Sequence, residues 1–211
     1  MRKINSQCKK CRREGVKLFL KGERCQSPKC AMVKRNYLPG VHGPKKSMTK
    51  TSTYGKQLRE KQRAKRIYGI LEKQFANLVK KAMKDKGNSG NAMLSLLELR
   101  FDNIIYKLHL SDSRNQAKQL ISHGHFKVNG RAMNISSATL KVGDKIEIKE
   151  NKIKDAYWEK ISKSIAGASK NLATWLSLDA KTMSAQIVGA PEVEDLDQSI
   201  NTALIIEFYS R

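Results

Sequence analysis

The chain has 211 residues, with 42 Lys and Arg against 19 Asp and Glu, a formal net charge of +23 and a pI near 10.0. Hydrophobic residues make up 39%, enough for a modest core, and no run of ~20 apolar residues is present to cross a membrane. Met1 to Cys8 carries basic residues without the apolar stretch of a secretory signal, so the expectation is a soluble cytoplasmic protein with a polyanionic partner.

The charge is concentrated. Residues 1–86 hold 26 Lys and Arg but 5 Asp and Glu, whereas residues 87–211 hold 16 and 14. The N-terminal part compacts poorly unless counter-charge arrives, and phosphate is the natural source. All four cysteines lie in it, Cys8 and Cys11 as C-x2-C and Cys25 and Cys30 as C-x4-C. Two short-spaced pairs across a loop suit a tetrahedral four-thiolate site that is closed and structural. The cations around them (Lys9, Lys10, Arg12, Arg13, Arg24, Lys29) favour the thiolate form. Zn2+ is the first reading, an iron–sulfur cluster the competing one, and no metal the third. Two disulfides fit a cytosolic chain poorly.

Pro39, Gly40, Gly43 and Pro44 make the next stretch a loop. With Arg35, Tyr37, His42, Lys45 and Lys46 beside it, this loop suits a track along a phosphate backbone. Tyr37 or His42 either stacks on an unpaired base or packs on the cysteine segment. From Ser52 the pattern is helical. Lys56, Arg59, Arg63 and Arg66 form one cationic stripe with few acidic partners in helical reach, while Lys61 and Lys65 add charge on another side. Tyr54 and Tyr68 are further stacking candidates. Leu71, Phe75, Leu78, Val79, Ala82 and Met83 repeat as a core-facing stripe, ended by the polar break at residues 86–91.

Residues 98–108 read as one short amphipathic helix. Ser111 or Ser113 caps a second, Arg114 to Ile121, which stops at His123-Gly124. Phe126 to Arg131 alternates around the hairpin pair Asn129-Gly130, and Lys145 to Lys149 alternates again. Two helices and a small sheet bring Arg100, Arg114, Lys118, His123, His125, Lys127 and Arg131 toward one surface. His42, His109, His123 and His125 lack a carboxylate pattern for acid–base work, so no enzyme activity is expected.

Arg100-Phe101-Asp102-Asn103, Ser113 to Leu120, His123-Gly124-His125 and Val128-Asn129-Gly130 resemble the RNA-binding module named after ribosomal protein S-four. The likeness extends to Cys11 to Gly15, Lys17 to Cys25, Pro39-Gly40 with His42-Gly43, Tyr54 to Gln62, Ile67 to Phe75 and Ile206 to Arg211. These motifs together resemble the bacterial S-four family of the small ribosomal subunit, in its four-cysteine zinc form. Lys107 and Lys118 stand where arginine is more usual, and residues 184–202 diverge.

The resemblance implies an α+β protein: a zinc knuckle over 1–45, a mainly helical domain over 46–97 completed by about 170–211, and an inserted RNA-binding module over 98–165 with two helices and a small β-sheet. It further implies primary binding to small-subunit (16S-type) ribosomal RNA, nucleation of assembly of the subunit body, and possible self-repression of translation. Ribosomal proteins S-five and S-three would be neighbours where messenger RNA enters, with an effect on decoding accuracy. The expected RNA-contacting set is Arg12, Arg13, Arg35, Tyr37, His42, Lys45, Lys46, Tyr54, Lys56, Arg59, Arg63, Arg66, Arg100, Arg114, Lys118, His123, His125, Lys127, Asn129 and Arg131. Thr202 to Tyr209 is expected as a buried strand or extended segment. Glu192, Glu194, Asp195 and Asp197 are expected to face solvent or protein, away from RNA.

Overall fold

The computed structural model describes residues 6–44, 51–85, 87–168, 172–179 and 182–210. The chain divides into two compact units: residues 1–90 with 199–211, and residues 91–198. In the first, α1 (Gln7–Glu14) stops at Gly15, whose φ of 73° is the left-handed turn that glycine adopts freely. Two single turns follow, α2 (Glu23–Gln26) and α3 (Ala31–Lys34). Then α4 (Thr53–Ile67) starts at Ser52, whose Oγ accepts the Gly55 N–H at 3.2 Å. α5 (Glu72–Ala82) buries Phe75, Val79 and Ala82, while the outer members of that stripe, Leu71 and Met83, stay exposed. Tyr68 is 1% exposed, so its ring belongs to the core and is not available to a base.

The second unit contains most of α6 (Ser89–Glu98), then α7 (Phe101–Lys107) and α8 (Arg114–Ser122). Residues 98–108 are not one helix. Leu99 to Phe101 pairs with the segment 138–140, through Phe101 N–H to Ala138 O (2.8 Å) and Leu140 N–H to Leu99 O (3.0 Å), which pulls Arg100 into extended backbone. Of the two candidate caps, Ser113 is the one used, accepting from Gln116 N–H.

The strands are β1 (Phe126–Val128), β2 (Arg131–Met133) and β3 (Lys145–Ile148), followed by α9 (Glu150–Ile153), α10 (Ala156–Ala168), β4 (Leu176–Asp179) and β5 (Ser184–Ile187). All pairings are antiparallel, in the order β2-β1-β3-β5-β4. Asn129 and Gly130, with φ of 50° and 77°, form the tight turn between β1 and β2 that right-handed strand twist favours. Residues 172–198 do not return to the helical part. Ala185 pairs with Ile146, and Leu176, Ala185 and Ile187 are buried in the same core, so β4 and β5 widen this sheet instead. The core is centred on Phe126, whose ring lies 5.7 Å edge-on from both Phe101 and Trp158.

The segment that does return is a helix, α11 (Thr202–Tyr209), not the expected strand. Asn201 Oδ1 caps it by accepting from Leu204 N–H at 3.3 Å. It packs on α4 and α5, where Lys61 Nζ donates to Glu72 Oε1 at 2.7 Å and lies 4.5 Å from the centre of the Phe208 ring. Lys65 Nζ and Tyr209 Oη donate to the same carboxylate, each at 2.7 Å. Lys61 and Lys65 are thus clamp residues and not loose surface charge. A Cβ on Gly90 would collide with Thr202 Oγ1 and come within 2.9 Å of its Cβ, so only glycine lets α11 begin there. Among the described residues no helix is long and apolar enough to cross a membrane.

Burial alone raises the Glu72 pKa, but the hydrogen bonds from Lys61, Lys65 and Tyr209 outweigh it and hold the carboxyl at about 2. Because the folded pKa lies below the unfolded value of ~4.3, the clamp contributes fully above that pH and is lost as pH falls through about 2. Glu72→Gln should lower the melting temperature at pH 7 and flatten the acid limb of the stability–pH curve, read by circular dichroism.

Candidate nucleic-acid interface and cysteine pocket

All four cysteines are free thiols, and Cys11, Cys25 and Cys30 are buried. They line one small pocket together with Gln7, Leu20, Lys21, Arg24, Ala31 and Met32. The Lys21 N–H donates to Cys25 Sγ at 3.3 Å. Burial pushes the Cys11 thiol pKa up, the Leu18 backbone N–H pulls it down, and the other three cysteines push it up again. Gln7 also lines this pocket, and its Oε1 is buried with no hydrogen-bond partner among the described residues. Among the described residues, however, no three His, Cys, Asp or Glu side chains converge as a group that holds a metal ion. The sulfurs are gathered around one space but not drawn into a tetrahedron.

Arg12 turns inward. Its Nε donates to Tyr37 O at 2.9 Å and its Nη2 to Leu38 O at 3.1 Å, while the guanidinium covers one face of the Tyr37 ring at 4.5 Å. This stitches the loop to α1 and leaves Tyr37, 40% exposed, one face for any further stacking. Arg13, Arg35 and His42 are exposed. Lys45 and Lys46 lie outside the described residues.

The α4 stripe is less free than helical spacing suggests. Arg59 Nη1 donates to Glu14 Oε1 at 3.3 Å, Arg66 Nη1 reaches the same oxygen, and Arg63 Nη1 lies 3.6 Å from Glu60 Oε1. Lys56 is exposed, as is Tyr54, whose ring is 5.8 Å from that of Phe208. Glu14 was not singled out in the sequence. Its only signal was being the lone acid in the Cys-Arg-Arg-Glu-Gly run, and its partners lie 45 and 52 positions away.

In the second unit Asp102 gathers the expected RNA cations. Arg100, only 7% exposed, forms a two-pronged bond to it through Nε (3.1 Å) and Nη2 (2.8 Å), and Lys118 Nζ sits 3.4 Å from Oδ2. Arg100 therefore has an internal role. Burial lowers the Lys118 pKa, opposed by Asp102. Arg114 Nε donates to Asn103 Oδ1 at 2.8 Å and its guanidinium lies 4.6 Å above Tyr106, while Asn103 Nδ2 donates to Glu98 Oε2 at 2.7 Å. Lys107 Nζ is 3.8 Å from the same Glu98 oxygen.

Asn129 is likewise engaged on both sides, donating to Asp144 Oδ1 at 2.8 Å and accepting from Lys145 N–H at 2.9 Å. Lys127 Nζ stands 3.9 Å from Glu150, and Arg131 and His123 are exposed. The His123 and His125 rings are stacked at 6.5 Å, and His125 Nδ1 accepts from Trp158 Nε1 at 3.1 Å. Glu192 and Glu194 are exposed, whereas Asp195 accepts from Thr174 Oγ1 at 3.0 Å and from the Glu192 N–H.

A family model described as Ribosomal protein S4/S9 N-terminal domain matches residues 2–98, and one described as S4 domain matches residues 99–146. The chain is 49% identical over 210 residues to small ribosomal subunit protein uS4 of Clostridioides difficile, covering 100% of this chain and 99% of the relative. It is 48% identical over 211 residues to the protein of the same name in Thermus thermophilus, with the same coverage. With uS4A of Clostridium acetobutylicum it shares 50% over 204 residues, 97% of this chain and 96% of the relative.

Two variants test the inward-facing groups. Asp102→Asn strips Arg100 and Lys118 of their shared counter-charge and should cost about 3–5 kcal/mol in denaturant unfolding, as breaking a buried pair does. Burial, with Lys152, His123 and Lys149, holds the His125 pKa below its usual 6.5 against the pull of Asp155. A lowered histidine pKa makes stability fully present above the unfolded value of ~6.5 and lost below it, as pH falls through the folded pKa. His125→Gln keeps an acceptor for Trp158 and should flatten the change in melting temperature between pH 7.5 and 5.5.

Proposed function

The chain belongs to the small ribosomal subunit protein uS4 family, and we propose that it is an RNA-binding structural constituent of the small subunit, not an enzyme. The observation that carries this reading is the likeness to uS4 relatives along the whole chain, with the N-terminal and S4 domain matches following one another over residues 2–146. The cation distribution supports it. Arg13, Arg35 and Lys56 in the first unit and His123 and Arg131 in the second are exposed, at positions that suit phosphate contact. Arg59, Arg63, Arg66, Arg114 and Lys118 are partly exposed and already oriented by carboxylates, amides or rings, a state suited to reading backbone shape. The partner is small-subunit ribosomal RNA. Ribosomal proteins S-five and S-three and the messenger RNA are further partners on the same resemblance, and the setting is the cytoplasmic ribosome.

The four thiols around one pocket, two backbone N–H groups aimed at sulfur and the unpartnered Gln7 oxygen beside them fit a bound metal. Cys8, Cys11, Cys25 and Cys30 would hold Zn2+, or an iron–sulfur cluster in its place. Bound metal supplies a cross-link between α1 and the segments around α2 and α3 that this small, cation-rich fold otherwise lacks.

Filter binding to a 16S-type ribosomal RNA transcript tests the function. With ~6–10 phosphate contacts, raising salt from 50 to 200 mM should weaken binding roughly 10³–10⁵-fold, with duplex DNA bound far more weakly at every salt. Equal affinity for the two nucleic acids would overturn the reading. Native mass spectrometry and elemental analysis should find one Zn2+ per chain, lost in Cys25→Ser.

A further inference from the structure

One side chain joins the cysteine pocket to the cationic face of α4. Glu14 closes α1 three residues after Cys11, so the two lie one helical turn apart along the same flank. The Glu14 side chain is 2% exposed, and its Oε1 accepts from Arg59 Nη1 at 3.3 Å and from Arg66 Nη1. Those arginines are two turns apart on α4, and their side chains remain 32% and 22% exposed. One carboxylate oxygen therefore orients two guanidiniums while leaving other N–H groups of each fork available to phosphate.

We propose that Glu14 couples the cysteine pocket to RNA binding: filling the pocket fixes α1, α1 holds Glu14, and Glu14 holds Arg59 and Arg66 in the geometry that RNA requires. This rests on reading the four cysteines as metal ligands. α1 has eight residues and no side-chain bond at its N-cap, far short of the ~12–15 residues an isolated helix needs. Its order comes from tertiary anchors, Cys8 and Cys11 at the pocket as the first and Glu14 at the C-terminal end as the second, with Arg12 bonded to the Tyr37 and Leu38 carbonyls between them. Releasing the first anchor frays the helix and frees the second. Two arginines then lose their preset direction and must be ordered by RNA at the expense of binding. By linkage, RNA in turn tightens metal binding by the same factor.

The experiment uses the full chain, wild type and Glu14→Gln. Co2+ binding is followed by thiolate-to-metal absorption, and the dissociation constant for the 16S-type transcript is measured with Zn2+ and after chelation. In the wild type, metal should tighten RNA binding roughly tenfold, whereas Glu14→Gln should still bind Co2+ and show a metal effect below about twofold. The ratio is the readout because removing a carboxylate shifts absolute RNA affinity by charge alone. If circular dichroism shows Glu14→Gln unfolded, the double variant Arg59→Lys and Arg66→Lys serves instead. It keeps both charges, loses the forks and should shrink the metal effect in the same way. An undiminished metal effect in the variant, or metal-insensitive RNA binding in a wild type that binds Co2+, overturns the coupling alone. No cobalt–thiolate absorption in the wild type overturns the metal reading and the coupling with it.

Discussion

Three carboxylates each hold two cations. Glu14 takes Arg59 and Arg66, Glu72 takes Lys61 and Lys65, and Asp102 takes Arg100 and Lys118. With 42 cationic side chains against 19 acidic ones, a one-to-one ion pairing is arithmetically closed to this chain. Sharing is the available solution, and it places each acid at a junction between elements. Glu14 ties α1 to α4, Glu72 ties α4, α5 and α11, and Asp102 ties α7 to α8. Loss of one such acid strands two cations, so these positions weigh more on stability than an isolated surface pair, which contributes ~0–1 kcal/mol.

Where carboxylates run out, rings and carbonyls substitute. Arg12 is held by two backbone oxygens and the Tyr37 ring, Lys61 by Phe208 as well as Glu72, and Arg114 by Tyr106 and Asn103. Each of these partners accepts a cation's N–H groups or faces it with π-density without adding a negative charge. A cation ordered by a ring or a carbonyl keeps the positive potential that an ion pair would screen. Aromatic rings here are engaged by the cations of the protein itself. Tyr68 is buried outright and Tyr37 has one face taken.

Local chemistry was legible and long-range pairing was not. The cap at Ser113, one of the two serines offered, the Asn129-Gly130 turn and the Phe75, Val79, Ala82 face all follow from neighbours within a few positions, and each appears as expected. β4 and β5 are as short as β3 but lack the Asn-Gly or Gly-Asp turn signal that precedes or follows the strands read from sequence, so their membership of the sheet was hidden. In α11 the run Ala203 to Ile206 is apolar on every side, which masks helical periodicity, and the informative residue was the Asn201 cap. For the candidate site, spacing placed Arg59 and Arg66 on one helix face, but not the acid they meet. Glu14 arrives from 45 and 52 residues away. Arg100, Arg12 and Asn129 illustrate the same gap. Residue type names the chemistry a side chain can do, and only packing decides whether it is already doing it within the protein.

That division of labour explains the asymmetry between the two units. In residues 91–198 the acids nearly match the cations, and a continuous apolar core from Phe101 to Ile187 is closed by a sheet. The N-terminal unit has fewer acids and three short helices around the cysteines. Its compactness leans on shared carboxylates and on the α11 clamp. On the reading proposed above, RNA phosphate would be the next shared anion, offered to the partly exposed Arg59 and Arg66 beside Glu14. On this view the RNA completes the same charge-sharing scheme by which α1 and α4 are held to each other.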